Sequence, residues 1–203
     1  MVSIKILESN REISTKINRS LAKDFDKSIN KKLPIMRSKL KAIISTALWT
    51  SPEIQSLSGG ILKADFGLTS DPSSAIVASI ISTINISTKK SSSSAIGIKG
   101  GIVVTLQPVD YANLFSLSVA EQVIEGGSLP WLRWLLTLGD AIIIANFGIE
   151  YGPFGRTGKA HMTQGSRPFK VNSSFSGSAD NNFITRAVQR SSAEIKKVII
   201  GAI

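Results

Sequence analysis

The 203 residues contain no cysteine and one histidine, His161. The lack of cysteine excludes disulfides, thiolate metal sites and cysteine nucleophiles together, and fits a reducing compartment. With one imidazole, a metal site would need carboxylates as well. The nearest in sequence, Glu150 and Asp180, show no ligand spacing. A serine triad would have to use His161 as its base, and no G-x-S-x-G accompanies it. The run Gly155-Arg-Thr-Gly158-Lys159 is superficially like a phosphate loop. That loop needs glycine five positions before its Gly-Lys pair and a hydroxyl residue after the lysine, where Pro153 and Ala160 stand. Aromatics make up only 6% of the chain and are not interleaved with basic residues, as a single-strand binder requires. The reading is therefore of a non-enzyme, with no catalytic, metal or cofactor-binding residue to nominate.

Long apolar runs are also scarce. The one run of membrane-spanning length, residues 129–149, carries Arg133, Asp140 and Asn146 and is broken by Gly139-Asp140 near its middle. A charge at the centre of a bilayer helix costs roughly 2.5–3.5 kcal/mol, so no membrane partner is expected. No signal peptide is visible, because residues 2–7 are short and a polar helix follows.

What is present suits a folded chain: 42% apolar and 19% charged residues, in a length that fits one domain. The formal net charge is +10, and residues 1–43, with 11 Lys+Arg against 4 Asp+Glu, carry +7 of it. A local excess of this kind suits an anionic partner.

Alternation of Val2, Ile4 and Ile6 predicts a short strand. Ser9 and Glu12 then form a capping box. Ile13, Ile17, Leu21, Phe25, Ile29 and Leu33 recur every four residues, predicting an amphipathic helix that Pro34 should kink or break. Its other faces carry Lys16, Arg19, Lys23, Lys27, Lys31 and Lys32. Two readings of that face stand: contact with DNA or an acidic neighbour, or a solvated surface. A second helical segment follows to Trp49. Ser51-Pro52-Glu53 starts a short helix stopped at Gly59-Gly60, and Asp71-Pro72 starts another bearing Ile76, Val77, Ile80 and Ile84. Residues 87–94, polar and serine-rich, read as a mobile loop. Residues 95–98 and 102–107 read as a hairpin turning at Lys99-Gly100-Gly101. Asp110–Ser116 reads as a helical turn, and residues 119–124 are ambiguous between helix and strand.

The densest apolar unit begins after Gly126. Ser128 and Pro130 mark a helix start, and Trp131, Trp134 and Leu135 anchor the expected packing core. Gly139 is placed to end the helix in a left-handed conformation, and residues 141–144 read as a buried strand. Residues 152–172 read as an exposed, basic, glycine-rich loop. Loops this long without structure of their own are usually functional, so Arg156, Lys159, His161, Arg167 and Lys170 are candidate assembly residues. Phe169-Lys-Val171 looks extended, and Asp180 or Asn181 is expected to cap a final helix.

The last third resembles a group of tailed-bacteriophage virion proteins of the neck, tail-completion or minor-tail kind. The resemblance rests on Pro130-Trp-Leu-Arg-Trp-Leu-Leu136, Gly139-Asp140, Tyr151, Gly155-Arg-Thr-Gly158, Met162, Phe175-Ser-Gly177 and Asp180-Asn-Asn-Phe-Ile-Thr-Arg-Ala187. It covers residues 126–187 and departs at Lys170-Val-Asn172, where a proline is expected after the valine. It implies a structural protein of the head–tail junction or tail, made in the host cytoplasm and carried in the virion. It also implies a homo-oligomeric ring, six- or twelve-fold, whose partners are its own copies and neighbouring neck, portal-adaptor or tail proteins, with DNA possible in the lumen. The alternative is a basic nucleic-acid-binding protein using the N-terminal helix.

The expected fold is α+β, one domain over residues 1–203 with 1–50 as a basic helical segment. An antiparallel sheet of the hairpin and a strand at 141–147 would be packed by the first and last helices, with residues 152–172 forming one of several long exposed loops.

Overall fold

A computed structural model of the chain describes residues 8–108, 110–124, 127–165 and 167–201. The strand expected at Val2–Ile6 lies outside them. The fold is α+β, as its sequence pattern implies, and is built around one long helix.

Helix α1 runs unbroken from Asn10 to Trp49, about 60 Å at 1.5 Å per residue. Its start is the expected capping box. The Ser9 N–H donates to Glu12 at 2.8 Å, and the Glu12 N–H donates to the Ser9 hydroxyl at 3.3 Å. Hydrogen bonds from the Ser9 N–H and then its hydroxyl hold the Glu12 carboxyl below the usual range.

Pro34 neither ends α1 nor separates two helices, which corrects the sequence expectation. Its ring is exposed, and Ile29 and Met36 on either side are buried. Packing on both sides of the proline holds the helix against the local cost.

That packing comes from a hairpin. Strand β1, Asn85–Ser93, pairs antiparallel with β2, Ile98–Thr105, and β1 lies along α1. Arg37 donates to the Ile86 carbonyl at 3.3 Å, and Thr88 to Asn30 at 3.2 Å. Asp26 accepts from the Ser91 N–H and, at 2.6 Å, its hydroxyl, and Asn18 donates to the Ser94 carbonyl at 2.8 Å. From Arg37 back to Asn18 the helix covers about 29 Å; from Asn85 to Ser94 the strand covers about 30 Å. The two elements run side by side in opposite senses for that distance.

The stretch read as a mobile loop at 87–94 is thus a strand, and the turn falls at Ser94–Gly97, not at Lys99–Gly101. The Ser94 N–H bonds to the Gly97 carbonyl at 2.9 Å. Gly100 has a different use. The register shifts between Lys89 and Ser92, and a Cβ on Gly100 would lie 2.4 Å from the Ser91 hydroxyl oxygen.

The rest packs as a body of short elements. These are α2 (Pro52–Gly59), α3 (Ile61–Asp65), α4 (Ser73–Thr83), α5 (Ala112–Phe115), α6 (Trp131–Thr137), α7 (Phe183–Arg190) and α8 (Ser192–Ile200). Their core gathers Leu48, Leu57, Ile76, Ile80, Leu114, Leu132 and Phe183 around Trp131. Trp131 and Leu135 are fully buried as expected, and the Trp131 indole N–H reaches the Val119 carbonyl at 2.9 Å. Trp134 sits at the margin, half-buried, with its ring against Phe169. A second, smaller cluster of Met36, Leu40 and Ile86 joins α1, β1 and α8.

The sheet differs from expectation. The described residues form three separate two-stranded antiparallel sheets: β1–β2, then β3 (Gln122–Ile124) with β4 (Gly127–Leu129), then β5 (Phe147–Tyr151) with β6 (Ala160–Gln164). Residues 141–144 are not a buried strand; Ile142 is 62% exposed, and Ile144 makes one bridge to Phe169. Ser128 lies in β4 and makes no cap to α6. Gly139 does take the left-handed conformation, at φ +56°. The cap of the final helical segment is Asn182, not Asp180 or Asn181, and that segment divides at Ser191 into α7 and α8.

Candidate functional site

Two regions carry the residues singled out by sequence: the β5–β6 hairpin and the α1–β1–β2 arm.

The first is not one exposed loop. Within residues 152–172, Ala160–Gln164 is β6, and Ala160, Phe169 and Val171 are buried. The turn between β5 and β6 closes with the Gly152 N–H on the Lys159 carbonyl at 2.9 Å. Gly155 has φ +69°, and a Cβ there would fall 2.2 Å from the Ala160 carbonyl oxygen, so this turn requires glycine. The turn presents Arg156 and Lys159, both exposed. The Arg156 guanidinium donates to the Gly67 carbonyl at 2.9 Å, and the Tyr151 hydroxyl to the Asp65 carboxylate at 2.5 Å. These two bonds tie the hairpin tip to the end of α3.

Between hairpin and α3 lies a cavity of about 360 Å³, lined mainly by apolar groups including Phe66, Leu129, Ile149 and Met162. Two buried polar atoms at its wall have no hydrogen-bond partner among the described residues, Thr157 Oγ1 and His161 Nδ1. The His161 ring stands edge-on to Phe154 with centroids 4.6 Å apart, and its Nε2 lies 3.8 Å from Glu150. Burial raises the Asp65 pKa, opposed by the Tyr151 hydrogen bond. Burial and the neighbouring Asp65 carboxylate push the Tyr151 hydroxyl well above its ordinary value. Sequence reading missed Asp65, Gly67 and Thr157 as parts of this unit, since Asp65 and Tyr151 are 86 positions apart. Arg167 and Lys170 are exposed on the return that follows β6, flanking buried Phe169.

The second region assembles charge. Arg19, Lys23, Lys27 and Lys31 are exposed on α1 with no ion pair among the described residues, whereas Lys16 pairs with Glu8. Lys32 is half-buried. The hairpin adds Lys89, Lys90 and Lys99, all exposed. Sequence reading assigned them to loop and turn and so did not join them to the helix.

The motif at 180–187 is structural in this fold. Asn182 is buried, accepts from the Ile184 and Thr185 N–H groups, and donates to the Tyr111 hydroxyl at 2.7 Å. Arg186 reaches buried Glu53 at 2.6 Å. Gly177 lets this cap approach α6, because a Cβ there would lie 2.8 Å from both Asn182 Cβ and the Leu135 carbonyl.

No group of three histidine, cysteine or acidic side chains among the described residues is placed to hold a metal ion, and no helix among them is long and apolar enough to cross a membrane. Comparison of the chain with protein-family models, with curated proteins and with solved structures gives no match.

Proposed function

We propose that this chain is a structural protein of a tailed-phage virion, working at the neck or tail as a homo-oligomeric ring of six or twelve copies that joins head-side and tail-side neighbours. The observation that carries the reading is the arm. A helix and hairpin lying side by side for about 30 Å leave apolar side chains open at their far part: Ile17 is 54% exposed, Leu21 51% and Ile96, at the hairpin turn, 99%. Apolar groups held out on such an extension suit insertion into a neighbouring subunit. The ordered motifs from Pro130 to Ala187 support the same reading by resemblance. The hairpin tip with Arg156 and Lys159 is a second contact, held in place before assembly by Tyr151–Asp65 and Arg156–Gly67.

Light scattering on the purified chain at low and high salt tests the proposal. A discrete ring at both salts is expected, or a monomer that adds only to purified phage particles. A monomer that joins neither itself nor particles would overturn it. Arg156→Ala with Lys159→Ala should leave the circular dichroism spectrum unchanged and lower particle yield; normal yield would remove the tip from the contact.

A further inference from the structure

We infer that the α1–β1–β2 arm binds the phosphate backbone of double-stranded nucleic acid. Residues 8–40 and 85–105, about a quarter of the chain, hold twelve lysines and arginines against four carboxylates, a net +8 of the chain's +10. The structure brings these two segments together, and their separation in sequence conceals the concentration. Three of the four carboxylates are engaged locally: Asp26 takes the Ser91 N–H and hydroxyl, Glu12 takes the Ser9 N–H and hydroxyl, and Glu8 takes Lys16. The hairpin itself has no acidic residue.

The cations are also at one level. Thr88 meets Asn30 and Ser91 meets Asp26, so Lys89 and Lys90 lie beside the Lys27–Lys31 turn of the helix. Lys99 is opposite Ser92 in the hairpin register. Seven exposed cations with no ion pair among the described residues are therefore gathered on the arm: Arg19, Lys23, Lys27, Lys31, Lys89, Lys90 and Lys99.

Duplex DNA offers one negative charge per about 1.7 Å of its axis, a density that an arm of this length can follow. Exposed Ser87 adds a hydroxyl of the kind that contacts phosphate oxygens, whereas the Ser92 and Ser94 hydroxyls donate to the Lys99 and Gly97 carbonyls. The arm has a single aromatic residue, half-buried Phe25, so it lacks the stacking platforms a single strand needs. The inference is independent of the virion reading, since it rests on charge placement alone.

Fluorescence anisotropy of the full chain with a labelled duplex, titrated from about 50 mM to 200 mM salt, tests it. If most of the seven cations engage, log K against log salt should fall with a slope of about −4 to −6, a loss of roughly three decades. The triple variant Lys89→Gln, Lys90→Gln, Lys99→Gln should flatten the slope by nearly 3. Its circular dichroism and thermal midpoint should match the parent, because all three side chains are exposed. No binding at low salt, or an unchanged slope in the triple variant, would overturn the proposal. So would tighter binding to polyglutamate than to the duplex, which would make the partner an acidic protein face. Ring formation is read by mass and DNA binding by anisotropy, so either proposal can fail alone.

Discussion

Glu53 shows how much one residue can depend on another far along the chain. It is 3% exposed, and its one ion pair among the described residues is with Arg186, at 2.6 Å. Truncating Arg186 to leucine would leave a carboxylate in the core with no counter-charge. Breaking such a pair from one side typically costs 3–5 kcal/mol. Because the Arg186 side chain is 28% exposed and water can reach its end of the pair, about 2–4 kcal/mol is expected by urea unfolding. A loss below about 1 kcal/mol would mean that water replaces the arginine. Asp65 is the opposite case, a carboxylate whose burial raises its pKa. Between the unfolded carboxylate range and that raised value the folded chain binds more protons, so this group makes stability fall as pH rises. Asp65→Asn keeps an acceptor for Tyr151 and removes the titration. Its stability relative to the parent should therefore grow as pH rises from the ordinary aspartate range through the raised one, and a constant difference would show that burial does not hold the Asp65 proton.

Among the elements, α1 carries the clearest conflict between local propensity and tertiary packing. Proline in a helix interior costs about 3 kcal/mol relative to alanine. Here it is held between buried Ile29 and Met36, with the hairpin bonded to the helix on both sides. Pro34→Ala should stabilise the chain by about 1–3 kcal/mol, less than the full propensity difference because the unfolded chain gains freedom. A destabilised Pro34→Ala would show that the proline ring has packing of its own. The same comparison explains what was legible in sequence. Capping by Ser9 and Glu12, the Ser51-Pro52 helix start and the left-handed Gly139 are set by neighbours within a few residues, and they could be read directly. The burial of Trp131 and Leu135 followed from apolar spacing. Strand β1 could not be read, because its serines and lysines favour no strand by themselves. Its order comes from α1, through Asp26, Asn30 and Arg37, which are 49–65 residues away. Gly100 looked like a turn residue because sequence cannot distinguish positive φ from close approach. At the hairpin tip, Gly155 and Gly158 were legible only as part of an exposed glycine-rich loop, and neither the turn nor the bonds to Asp65 and Gly67 that fix it could be read. The site was therefore legible as a set of basic residues and not as a geometry.

At the scale of the molecule, stability is unevenly distributed. The main core collects buried side chains from α2, α4, α5, α6 and α7, whereas in the first 26 residues of α1 only Ala22 and Ile29 are buried. The hairpin holds to this part of the helix chiefly by polar contacts near solvent. Such a region opens without unfolding the body. Hydrogen exchange should accordingly show α1 residues before Ile29, and the outer part of β1, exchanging about a hundredfold faster or more than Leu132–Leu136 and Ala187. That difference also reports on assembly. If Ile17, Leu21 and Ile96 insert into a neighbouring copy, the protection of the arm should rise with protein concentration while that of the core stays constant. If the arm contacts only nucleic acid, its protection should rise on adding duplex and be indifferent to concentration. Protection equal to the core at high dilution and without DNA would contradict the division into body and arm, because it would require the arm's hydrogen bonds to open only with the whole fold.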